Sequence, residues 1–173
     1  MSVSPFVVHV ASMRRNIGAR ENRYCVGEIA DLSCSGSAVP VGADVEADVV
    51  LESISGAISV TGSVRAPWVG TCRRCLSTAS GDLDIRVREL YTSHGDGDET
   101  YPLVDDTVDL EPMVRDAVLL ELPLVPLCRV DCRGLCPNCG AALDDGDCGC
   151  QAPPDPRWAA LDLLRTVDLE SEN

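Results

Sequence analysis

Ten cysteines, eight of them in two groups, constrain this 173-residue chain more than any other feature. Cys72 and Cys75 stand two residues apart, and Cys128, Cys132, Cys136, Cys139, Cys148 and Cys150 follow much later. A two-residue gap lets both thiolates converge on one ion within a single turn. Cys136-Pro137-Asn138-Cys139-Gly140 has the composition of a zinc knuckle, its glycine free to take the turn after the second ligand. A structural zinc takes four thiolates in a tetrahedron at about 2.3 Å. Six cysteines overfill one such site and two underfill one. The arithmetic closes with two zinc ions, one on Cys72, Cys75, Cys128 and Cys132 and one on Cys136, Cys139, Cys148 and Cys150. A competing assignment puts a single zinc on Cys132, Cys136, Cys139 and Cys148 and leaves Cys72 and Cys75 free.

The remaining residues must build a core from Val, Leu, Ile and Ala, because only six side chains are aromatic; an apolar content of 45% is enough for one. All fourteen basic residues are arginine. The absence of lysine excludes Schiff-base, P-loop and Ser-Lys chemistries. The net charge of −14 makes a poor non-specific nucleic-acid binder, although the stretch 65–95 carries five arginines against three acids. No apolar run approaches the ~18–20 residues of a membrane helix. Arg14 and Arg15 follow the first apolar run, the wrong order for a secretory signal. The first twenty residues have a transit-peptide composition, but Phe6 to Val10 reads as a strand of the fold. The expected address is the cytoplasm, where cysteines serve as metal ligands or core thiols and structural disulfides do not persist.

Residues 44–54, 57–69 and 83–92 alternate apolar and polar with period two, and Ser55-Gly56 separates the first pair as a hairpin turn. His94 to Glu99 is an acidic, glycine-bearing loop. Asp109 or Glu111 near the cap and Pro112 in the first turn open a helix. Met113, Val114, Ala117, Val118 and Leu122 share one of its faces, and Pro123 stops it. Arg157 to Thr166 forms a short second helix after the cap signal Asp155-Pro156. The fold expected is α+β: an antiparallel β-meander packed by one helix, with a C-terminal zinc-knuckle segment and a short helix. The expected division is 1–126, sheet and covering helix, and 127–173, a cysteine-rich zinc-binding tail with a terminal helix.

Other candidates read more plainly. Cys25 and Cys34 lie beside apolar residues with no partner spacing, as buried inert thiols do. A thioredoxin-type role for Cys72 and Cys75 needs a helix start to lower the first thiol's pKa. Here a strand precedes Cys72, and Leu76 to Gly81 is only a weak helix. His9 in a strand and His94 in a loop are not ligands. Asp96, Asp98 and Glu99 form a solvated charge run, since no calcium ligand follows at the required spacing. Arg73, Arg74, Arg86 and Arg88, with Arg65, are candidates for contacting RNA, Trp68 being a stacking ring nearby. The alternative for each arginine is pairing with the abundant surface carboxylates.

Cys72-Arg73-Arg74-Cys75-Leu76 after a strand, the exit LPLVPLC, Cys128 to Gly140, Cys148-Gly149-Cys150 and Asp155-Pro156-Arg157 occur in order. Together they resemble the YceD family of bacteria and chloroplasts, over roughly residues 45 to 165. One departure is Ala141-Ala142-Leu143-Asp144, where an Asn often follows the Leu. The resemblance implies a role in accumulation of large-subunit ribosomal RNA; it carries no contact residues over.

The leading expectation is a non-enzymatic, zinc-stabilised protein supporting large ribosomal subunit assembly. Its partner would be the large-subunit ribosomal RNA precursor or a basic ribosomal protein, with no membrane and no small-molecule substrate. No catalytic set is present, and cysteine-saturated metals leave no position for water. The alternative is a redox-responsive zinc regulator of the anti-sigma type, on the spacing of Cys132, Cys136 and Cys139. A third reading, a thiol oxidoreductase, needs a reactive Cys72.

Overall fold

Alternating Val, Ile and Leu place one apolar face on each long strand, and that face is what the fold buries. The computed structural model describes residues 4–93, 100–150 and Arg157. The loop expected at His94 to Glu99 and, apart from Arg157, the helix expected from Arg157 to Thr166 lie outside them. Two compact units are present, Met1–Val130 and Asp131–Asn173.

The first unit runs β1 (Val7–His9), α1 (Ala11–Arg14), β2 (Arg20–Gly27), β3 (Ser37–Ala38), β4 (Val45–Ile54), β5 (Ala57–Thr71), β6 (Thr78–Thr92), β7 (Tyr101–Val104), β8 (Thr107–Asp109) and α2 (Glu111–Glu121). The strands form a curled sheet in the order β1-β8-β7-β6-β5-β4-β2, with β3 beside β5. The hairpin predicted at Ser55-Gly56 is there: Ile54 pairs with Ala57, and Gly56 takes φ +79°. The β5–β6 hairpin is the longest element, its register running from Ala57↔Thr92 to Thr71↔Thr78.

Two expectations need correction. Leu76 to Gly81 is not helical; Thr78 already begins β6, because its side chains continue the strand alternation. The sheet is also not wholly antiparallel. β6 and β7 pair in parallel at Tyr91↔Tyr101, and the tight β7–β8 hairpin then returns the chain to β1. Asp105 and Asp106 make that hairpin with φ of +49° and +57°, the two positive values of a type I′ turn. β7 and β8 are too short to show a period in sequence.

The inner face carries Val45, Ala47, Val49 and Leu51 from β4, Ile58, Val60 and Val64 from β5, and Leu83, Val87 and Tyr91 from β6. Each fully buried aliphatic side chain contributes about 1.5–3 kcal/mol. Helix α2 packs against β5 and β6 through the predicted face, with Met113, Val114 and Val118 buried and Ala117 at its margin. Asp109 Oδ1 accepts the Glu111 backbone N–H at 3.0 Å, and Pro112 occupies the first turn. The helix ends at Glu121, with Leu122 buried and Pro123 following.

Candidate metal centres and the arginine residues

The tip of the β5–β6 hairpin is a turn built on Cys72. The Cys72 N–H donates to Ser77 O at 2.8 Å, and the Leu76 N–H donates to Cys72 O at 2.9 Å. Cys136 repeats the pattern, since its N–H donates to Ala141 O at 2.8 Å and the Gly140 N–H donates to Cys136 O at 2.9 Å. The two turns are the same knuckle, and each points two thiols to one side.

Close backbone packing brings Cys128 to the first knuckle. A Cβ on Gly36 would lie 2.3 Å from Leu124 O, and one on Gly70 would lie 2.6 Å from Gly36 O. Glycine at both places lets the segment after α2 run against β3 and β5. Ser37 Oγ donates to Pro123 O at 2.9 Å, and the Arg73 N–H donates to Pro126 O at 3.0 Å. Cys75 Sγ then lies 3.5 Å from Cys128 Sγ. The Sγ atoms of Cys72, Cys75, Cys128 and Cys132 all fall within 4.8 Å of one another, and so do those of Cys136, Cys139, Cys148 and Cys150. Tetrahedral thiolates at about 2.3 Å from zinc stand about 3.8 Å apart, so both groups have the dimensions of a four-thiolate site. All ten cysteines carry free thiols.

Electrostatics suit a cation. The backbone N–H groups of Cys128 and Cys75 bring the Cys72 thiol down to about 6, and those of Cys139 and Asn138 do the same for Cys136. The Ser77 hydroxyl lowers Cys75. Crowding acts the other way on Cys150, which the neighbouring Cys139 and Cys148 thiols push up to about 12. Four thiols this close do not all ionise alone; a divalent cation removes that conflict. In the second unit Arg133 braces the cluster, its N–H donating to Asp144 at 3.1 Å and its guanidinium pairing with Asp147 at 2.5 Å.

The remaining candidates are dispersed. Cys25 is buried in β2 and its thiol is pushed up by desolvation. Cys34 is half-buried and donates to Pro123 O at 3.7 Å. His9 Nδ1 meets Thr107 Oγ1 at 3.2 Å on the surface, while His94, Asp96, Asp98 and Glu99 lie outside the described residues. Arg73 and Arg74 are exposed at the hairpin tip, where Arg74 Nη1 donates to Val130 O at 3.2 Å. Arg86 and Arg88 are exposed on the outer face of β6, opposite Ser63 and Thr61 of β5. Eight residues of strand separate Thr78 from Arg86, on the order of 26 Å. The arginines therefore form two pairs and not one patch. Arg65 faces Asp84 at 3.8 Å, the carboxylate pairing weighed for it. Trp68, expected as a stacking ring, packs against the core and lies over Gly81, where a Cβ would sit 2.9 Å from its Nε1. Sequence reading missed Ser77 as a thiol partner and the Pro126 carbonyl as the dock for Arg73; neither has a spacing signal.

The family model described as Large ribosomal RNA subunit accumulation protein YceD matches residues 60–165, a span that takes in most of β5, all of β6 and α2, and both thiol groups. The chain belongs to the YceD family. Among proteins similar to this YceD chain is the uncharacterized protein Rv2926c of Mycobacterium tuberculosis, 40% identical over 166 residues, covering 91% of this chain and 80% of the relative. The uncharacterized protein YlbN of Bacillus subtilis is 29% identical, covering 76% and 78%. A chloroplastic protein of Arabidopsis thaliana, named large ribosomal RNA subunit accumulation protein YCED homolog 1, is 37% identical over 66 residues, 38% of this chain and 21% of its own. No solved structure matches the chain. Among the described residues, no helix is long and apolar enough to cross a membrane.

Proposed function

We propose that this chain is a non-catalytic, zinc-stabilised assembly protein of the large ribosomal subunit, working in the cytoplasm by holding immature large-subunit ribosomal RNA. The family match supplies the ribosomal role. The observation that carries the zinc reading is the pair of four-thiol groups, each within 4.8 Å. Bound there, zinc would supply charge neutralisation and a cross-link, with no open position for substrate. Cys72, Cys75, Cys128 and Cys132 would hold one ion, and Cys136, Cys139, Cys148 and Cys150 the other. Arg73 and Arg74, exposed at the hairpin tip, are the first candidates for phosphate contacts, and Arg86 and Arg88 the second.

The net charge of −14 favours a second reading, in which the acidic surface holds a basic ribosomal protein until delivery. Crosslinking in cells separates the two. RNA crosslinks lost in the Arg73→Ala/Arg74→Ala variant support the first, and crosslinks to a ribosomal protein alone support the second. Native mass spectrometry of reduced, chelator-free protein is expected to show two zinc ions per chain, and none would overturn the metal reading. Zinc released with disulfide formation under mild peroxide would favour a redox regulator instead.

A further inference from the structure

The two knuckles share a backbone but differ at one residue. Gly140 follows the second thiol of its knuckle with φ +74°, the left-handed conformation that glycine adopts without strain. The equivalent residue of the first knuckle is Leu76, at φ +62°. A branched side chain is strained there. Leu76 also leaves 65% of its surface in water, so burial does not offset the strain. Folding alone favours glycine or asparagine at this position.

The surroundings indicate what the side chain meets. Arg73 and Arg74 precede it in the same turn and are exposed. Val130, whose carbonyl accepts from Arg74, is 90% exposed, and Leu124 on the adjoining segment is 62% exposed. The two stretches that meet here, residues 66–81 and 122–130, contain Arg73, Arg74 and Arg129 and no acid of their own, with Asp82, Glu121 and Asp131 standing at their ends, in a chain with 28 acids. A cationic, apolar tip on an acidic protein is complementary to an anionic partner that also has apolar surface. RNA offers both, in its phosphates and in the faces of unstacked bases.

We propose that Leu76 is a contact residue for ribosomal RNA, an aliphatic wedge set against a base or ribose while Arg73 and Arg74 take the flanking phosphates. The proposal rests on the RNA reading above and names the residue that conformational strain singles out. Strain kept at an exposed position without a folding reason is a mark of function.

The test uses the full-length, zinc-loaded chain and a transcript of the large-subunit ribosomal RNA precursor folded in magnesium. Leu76→Gly is expected to keep its metal content and a thermal midpoint at or above that of the unmodified chain, while RNA affinity falls by about tenfold, the worth of one buried aliphatic side chain. Leu76→Asn, which tolerates the same backbone, carries the same expectation and serves if the glycine variant loses metal. Unchanged affinity in a folded, metal-loaded variant overturns the role of Leu76 and leaves the RNA reading standing. No binding by the unmodified chain overturns both. A photo-reactive leucine analogue at position 76 that crosslinks to protein and never to RNA also overturns the proposal.

Discussion

Among single residues, certain glycines are required where two backbones approach too closely for any Cβ. Gly62 sits on the inner face of β5 opposite Val49, and a Cβ there would lie 2.1 Å from Asp48 O and 2.7 Å from Val49 Cα. No side chain fits, so β4 and β5 close up at this point and the sheet is free to coil. Gly62→Ala is expected to force the strands apart and cost about 2 kcal/mol. The measurement is the urea midpoint, which should fall with the slope unchanged; an unaltered midpoint would contradict the close approach. Gly36 and Gly70 do the same work beside the first knuckle. Their importance has no signature in sequence, since the atoms they make room for belong to distant segments.

At the scale of elements, the parallel step from β6 to β7 is held by aromatic side chains. Tyr91 and Tyr101 stack with centroids 5.3 Å apart and rings 26° from parallel. The Tyr91 hydroxyl donates to Asp109 O at 3.1 Å, and that of Tyr101 to Asp116 Oδ2 at 2.9 Å. Burial pushes both phenols well above the ordinary tyrosine range, with Asp116 adding to the effect on Tyr101. A folded-state pKa raised above the unfolded value favours the neutral ring in the fold. Its stabilisation is therefore complete below about pH 10 and is lost as pH rises beyond that toward the folded values. In an alkaline titration, the phenolate absorbance of these two residues is expected to appear together with loss of the β-sheet circular dichroism, after that of exposed Tyr24 on β2. Full ionisation of all three tyrosines with the sheet signal intact would refute this. The long strands and α2 were readable from their periods, whereas β7 and β8 were not, because four and three residues are too few for a period.

For the molecule as a whole, the described residues of the two units differ in how much apolar surface they bury. The first holds the aliphatic core. Among the described residues of the second, the only buried apolar side chains are the thiols of Cys132 and Cys136. On the zinc reading proposed above, coordination at Cys136, Cys139, Cys148 and Cys150 is what would offset the conformational entropy of residues 131–150, where so little carbon is buried. A high-affinity chelator is expected to collapse the amide dispersion of residues 131–150 in NMR spectra while the methyl signals of Leu51, Val60 and Val118 stay dispersed. Persistence of both sets after metal removal would show that the second unit folds on side-chain packing alone. Full unfolding of the first unit would show that its core is insufficient by itself.

Sequence by itself determined what is local. Period-two alternation specified the three long strands, an apolar face with a proline at each end specified α2, and two-residue cysteine gaps specified both knuckles. Each is settled within a few residues by backbone geometry. Only in the folded chain is it visible that Arg73 and Arg74 stand far from Arg86 and Arg88, and that Trp68 lies over Gly81. Those outcomes depend on how distant segments pack, and the glycines that permit the closest approaches carry no pattern of their own along the chain.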